Sequence, residues 1–121
     1  MHNIIFYKDP NGNELVYEYL VELAKKSNKD SRIKLNKIND YIEILKQYGT
    51  FAGEPYVKHL DDEIWELRPL RDRILFAGTV NNEFVLLHVF QKKTRKTPRK
   101  EILKAKKELE DYISRKDDEN D

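Results

Sequence analysis

The stretch IWELRPLRDRILFAGTVNNEFVLLHVFQKK, residues 64–93, decides the architecture. β-Branched and aromatic residues recur from Ile64 to Leu70, from Arg73 to Val80 and from Glu83 to Gln91, which predicts three strands. Asn81-Asn82 between the last two is hairpin chemistry, so these strands pair antiparallel. Successive strand side chains point to opposite faces. Alternation therefore gathers Trp65, Leu67, Ile74, Phe76, Val85, Leu87 and Val89 on one apolar surface. It puts Glu66, Arg68, Arg73 and His88 on the other, with Lys92 continuing their parity.

Outward from this block, Thr97-Pro98 offers an N-cap followed by proline at the first helical position, and Ile102, Ala105, Leu109 and Tyr112 or Ile113 mark a helix. Upstream, the segment at Lys58-His59-Leu60 leads into the strands, with Asp61-Asp62-Glu63 as a turn. Two further helices precede it. Leu15, Val16, Tyr19, Leu20, Leu23 and Ala24 recur at helical spacing between about Glu14 and Lys26. Ile38, Tyr41, Ile42 and Leu45 do so after Ser27-Asn28-Lys29-Asp30, and Gly49 supplies the left-handed residue that ends the helix. Asn3 to Tyr7 reads as a first strand, stopped by the turn residues Asp9-Pro10-Asn11-Gly12. The expected fold is a small α+β domain, an antiparallel sheet with the N-terminal helix pair packed on one face and a C-terminal helix. Residues 1–116 form one domain, and residues 117–121 an acidic tail expected to fray.

The 121 residues suffice for one core and not for two ordinary ones. The absence of cysteine removes disulfides, thiolate zinc sites and thiol nucleophiles, and a reducing cytoplasm fits. The longest apolar runs, Ile74 to Val80 and Phe84 to Phe90, fall far short of the roughly 20 residues that span a bilayer, so no membrane role is expected. The formal charge of +1 conceals a segregation: residues 92–116 hold eleven basic side chains against four acidic ones. Such a patch attracts polyanions.

In this order and at this length, Trp65-Glu66-Leu67-Arg68, then Arg71-Asp72-Arg73-Ile74-Leu75, then Leu87-His88-Val89-Phe90-Gln91-Lys92-Lys93-Thr94-Arg95-Lys96-Thr97-Pro98 running into Glu101-Ile102 resemble the phage Gp49-like, or HigB-like, branch of the RelE/ParE toxin superfamily. The resemblance covers nearly the whole chain. It implies the toxin of a type II toxin–antitoxin system, a ribosome-dependent messenger-RNA endonuclease. Its implied partners are mRNA on the ribosome and a helix-turn-helix antitoxin of the HigA type, in a complex that can pair two toxins with an antitoxin dimer. DNA would be reached only through the antitoxin.

Residue by residue, Arg73 matches the arginine of RelE-type nucleases that contacts the scissile phosphate, Lys93 a basic position after the last strand, and Arg68 one just upstream. Two departures leave the proton-transfer group open. Ile64 and Glu66 stand where the archetypal RelE enzyme has lysines, and Arg99 where it has a tyrosine.

RNA can be cut without a metal because its own 2′-hydroxyl can attack the adjacent phosphorus. The protein then orients that attack, moves protons and stabilises charge on phosphate oxygens. The expected catalytic set is Arg73 and Arg68 as phosphate clamps, with Lys92 and Lys93 holding substrate phosphate and one of them protonating the leaving oxygen. Lys58, Arg95, Lys96, Arg99 and Lys100 are expected to grip RNA backbone. No metal or other cofactor is expected, and His88 is expected to pack beneath the last helix. The rival readings are a non-catalytic ParE-like toxin that binds DNA gyrase, and an inert phage relic that only binds its antitoxin; fold alone does not choose among them.

Overall fold

The computed structural model describes residues 1–119. Its elements are β1 (Asn3–Phe6), α1 (Leu15–Lys25), α2 (Lys29–Tyr48), a 3-10 turn (Gly49–Ala52), β2 (Val57–Asp61), β3 (Ile64–Leu67), β4 (Asp72–Thr79), β5 (Glu83–Gln91) and α3 (Arg99–Glu119). Local chemistry accounts for most boundaries. The Asp9 carboxylate accepts from the amides of Asn11 and Asn13, both at 2.9 Å, and closes the turn after β1. Asn28 caps α2 by accepting from the Ser31 amide at 2.8 Å. Gly49 ends that helix at φ 60°.

The five strands form one sheet in the order β1-β5-β4-β3-β2. Neighbours from β2 to β5 are antiparallel, as expected, whereas β1 lies parallel to β5, with Asn3 opposite Glu83 and Phe6 opposite Leu86. The sheet is therefore mixed. A long crossover separates β1 from its partner, so no hairpin dictates their relative direction.

Both faces are covered. On one, Val16, Leu20 and Leu23 of α1 and Ile38 and Leu45 of α2 bury against Leu67, Ile74, Phe76, Phe84 and Leu86. On the other, Ala105 and Leu109 of α3 meet Ile64, Leu75, Ala77, Val85 and Leu87. Simple alternation assigned Val85 and Leu87 to the helix-pair face, and the structure places them under α3. The cause is a bulge. Leu75 pairs with His88 and Phe76 with Leu86, so Leu87 is the extra residue and parity along β5 resets there. Beyond the bulge Val89 returns to the helix-pair side, as alternation requires.

Two further expectations change. β3 ends at Leu67 rather than Leu70, because residues 68–71 turn the chain toward β4, with Leu70 at φ 56°. The helix α3 continues through Glu119, so residues 117–119 of the expected tail are helical; residues 120 and 121 lie outside the described residues.

One half-buried carboxylate on α3 is expected to make the stability of the fold depend on pH. Glu108 has a buried Oε1 with no hydrogen-bond partner. Burial pushes its pKa up to about 7, Lys104 opposing and Asp9 and Glu101 adding. A carboxyl whose folded pKa is raised binds more protons folded than unfolded between about 4.5 and 7, so its stabilisation is present at the acid end and lost as pH rises through 7. Glu108→Gln is expected to raise the melting temperature by roughly 4 °C at pH 8, on the order of 1 kcal/mol after allowance for partial exposure, and to leave it unchanged near pH 4.5. Thermal denaturation at both pH values checks this.

Candidate active site

The open end of the sheet, beside the start of α3, holds a cavity of about 250 Å³. Four consecutive strands supply its wall: Lys58 from β2, Glu66 and Arg68 from β3 and its end, Arg73 from β4, and Lys92 just after β5. The loop into α3 adds Arg95, Lys96 and Thr97. Six Lys and Arg side chains thus surround a single carboxylate, and only because four strand ends and one loop meet here.

Arg73 is the fixed point. It is 6% exposed, and its Nη1 donates to the carbonyls of Leu70 at 2.9 Å and Asp72 at 2.8 Å. Burial lowers its pKa from the usual arginine value and Arg68 adds to that, while Glu66 and Asp72 oppose. Arg68 reaches Glu66 with Nε at 3.4 Å and Glu54 with Nη1 at 3.5 Å. Its Nε is buried and makes no hydrogen bond, so its tie to Glu66 is an ion pair only. Glu66 is 3% exposed, and its Oε1 accepts from the Thr97 hydroxyl at 2.5 Å.

That last bond revises the start of α3. The Pro98 carbonyl accepts from the amides of Glu101 at 3.0 Å and Ile102 at 3.4 Å, so the helix begins at Arg99. Thr97 spends its hydroxyl on a strand 31 residues away instead of capping. No local pattern announces this pairing; Thr97-Pro98 reads as a helix start in any fold.

The expected site residues separate into groups. Arg68, Arg73, Lys92, Lys58, Arg95 and Lys96 line the cavity together. Lys93 does not: it lines a neighbouring cleft with Lys34, Arg71 and Lys92. Lys92 borders both cavities, whereas Lys93, one residue further from the strand end, reaches only the second. Arg99 is drawn to Asp61, which Lys106 also holds at 2.9 Å. These two cations keep the Asp61 carboxyl down at about 2, the Lys106 bond contributing most. Lys100 is exposed on the first turn of α3 and does not line the cavity. His88 lies beneath α3 with Nε2 3.2 Å from Glu101, and burial lowers its pKa. Among the described residues no three His, Asp or Glu side chains group as a metal site would require.

A family model described as phage derived protein Gp49-like matches residues 18–110. The chain belongs to the Gp49-like family. The match runs from the first turns of α1 into α3 and includes every cavity residue from Lys58 to Thr97. It bears out the resemblance carried by the Trp65-Glu66-Leu67-Arg68 and His88 to Pro98 segments. No curated protein matches this Gp49-like chain. Among its described residues no helix is long and apolar enough to cross a membrane.

Proposed function

We propose that this Gp49-like protein is the toxin of a type II toxin–antitoxin pair, an endoribonuclease that cuts messenger RNA on the ribosome and is neutralised by a helix-turn-helix antitoxin of the HigA type. The observation that carries the reading is the cavity itself, in which Arg68, Arg73 and Lys92 converge on a volume suited to a phosphodiester with its adjoining ribose.

The chemistry follows from the charges. In the cut, the 2′-oxygen forms a bond to phosphorus and the bond from phosphorus to the 5′-oxygen breaks, leaving a cyclic phosphate and a 5′-hydroxyl. Negative charge builds on the non-bridging oxygens, where the pre-oriented forks of Arg73 and Arg68 stabilise it. The proton leaves the 2′-hydroxyl and one reaches the 5′-oxygen. Glu66 is the carboxylate lining the cavity and serves as acceptor; the Lys92 ammonium serves as donor. Arg95 and Lys96 hold the flanking backbone.

One observation favours the rival reading. Lys93, which the resemblance pairs with Arg73, faces a different cleft, so the basic residues expected to cleave do not all meet in one cavity. The test incubates the purified protein with translating ribosomes. Fragments ending in cyclic phosphate and beginning with 5′-hydroxyl, suppressed by the antitoxin from the neighbouring gene, are the expected result. Intact mRNA together with gyrase inhibition would replace the nuclease by the binder.

A further inference from the structure

The cleft that receives Lys93 is larger than the cavity around Arg73, about 650 Å³ against about 250 Å³. It lies on the helix-pair side of the same sheet end. Lys34 of α2, Arg71 of the β3–β4 turn, Lys92 and Lys93 line it, with Asp30 as the one acid. Lys92 lines both cavities, so the cationic surface continues from one into the other. The residue between them is Asp72, fully buried. Its carboxylate accepts from the Tyr19 hydroxyl at 3.0 Å and lies 3.8 Å from the Lys34 ammonium, while its carbonyl accepts from Arg73. One buried residue thus contacts a cation on each side of the sheet end, Lys34 through its carboxylate and Arg73 through its carbonyl.

The cleft also has an apolar part. Ile33 and Leu70 line it and are 46% and 48% exposed. Leu70 is held at φ 56°, a left-handed conformation that a bulky residue rarely adopts and that favours glycine. A leucine kept there in solvent points to a surface requirement for its side chain.

We propose that this cleft is a second single-stranded RNA subsite, which holds the nucleotide flanking the one that is cut, its two adjoining phosphates against Arg71 on one side and Lys92 and Lys93 on the other and its base laid on Leu70 and Ile33. The inference rests on the nuclease reading and extends it across the sheet edge. An unpaired base offers an apolar face that two aliphatic side chains can cover, and a polyanion leaving Arg73 past Lys92 meets no carboxylate except Asp30.

Two oligoribonucleotides methylated at the 2′-oxygen of the cut site, so that they bind without reacting, test it: a dinucleotide spanning the cut and a decamer extending beyond it. Binding is measured over a range of salt for the wild type, for Arg71→Ala combined with Lys93→Ala, and for Leu70→Gly. The double variant is expected to weaken the decamer about tenfold and to reduce its salt slope by about 1.4, two phosphate contacts for a single strand. Leu70→Gly, which removes the left-handed strain, is expected to melt no lower than the wild type, to weaken the decamer about threefold and to leave the slope unchanged. The dinucleotide is expected to bind all variants alike. A decamer indifferent to these changes, while Arg73→Ala still abolishes cleavage, overturns the subsite and leaves the nuclease reading standing. Loss of antitoxin affinity in the double variant with no loss of decamer affinity assigns the cleft to an acidic protein segment and also overturns it. A wild type that neither cuts mRNA nor binds either oligonucleotide removes both readings together.

Discussion

Arg73→Ala is expected to lower mRNA cleavage on translating ribosomes by about 10²–10³-fold while the protein stays folded. The side chain is buried, and two main-chain carbonyls hold one of its nitrogens before any substrate arrives. Donors that need no reorganisation are the ones that lower a barrier most, and removing a single such donor from an acyl-transfer site costs about 3–4 kcal/mol of transition-state stabilisation. The fold loses less. Two hydrogen bonds vanish, but so does a buried cation beside Arg68, whose repulsion and desolvation both oppose its charge. Arg73→Lys separates charge from geometry: a point charge cannot make the two-pronged contact of a guanidinium, so partial recovery at most is expected. Cleavage by Arg73→Ala within a few-fold of the wild type would end the nuclease proposal.

Gly49→Ala should give the largest loss of stability. Gly49 has φ 60° and ψ −149°, a region essentially reserved for glycine. A Cβ there would lie 2.9 Å from His2 Nε2 and 3.3 Å from Phe84 Cζ. The His2 and Phe84 rings are themselves packed at 4.8 Å, and the His2 amide is tied to the Lys46 carbonyl at 2.8 Å, so the imidazole has little room to retreat. Backbone strain plus this contact costs about 2–3 kcal/mol, a fall in melting temperature of roughly 8–12 °C at this chain length. Thermal denaturation of a double-mutant cycle with His2→Ala apportions it: the steric share disappears in the His2→Ala background and the backbone share remains. Equal losses in both backgrounds would show that His2 moves freely.

Features set within a few residues were legible from the chain. The strand Glu83–Gln91 lies where its β-branched and aromatic run placed it, Asp9-Pro10-Asn11-Gly12 turns, and Asn28 and Gly49 bound α2. Turn chemistry and periodicity act through backbone sterics and neighbouring side chains, so they need no partner. The face shared by Glu66, Arg68, Arg73, His88 and Lys92 was legible for the same reason, since alternation holds over short runs without a bulge. Membership in the Gp49-like family was carried by the same segments.

The tertiary structure alone decided what depends on a partner. A bulge is defined by the register of the opposite strand, which is why the side taken by Val85 and Leu87 could not be read from β5. The parallel docking of β1, the bond from Thr97 to Glu66, and the capture of Arg99 by Asp61 join residues from 31 to about 80 positions apart, with no local signature at either end. The chain by itself determined which side chains are cationic and which strand face they occupy, because those are matters of composition and pleat. How they divide between one cavity holding Arg68, Arg73 and Lys92 and another holding Lys93 was decided where the strand ends, α2 and α3 pack, because concavity is a property of surfaces brought together.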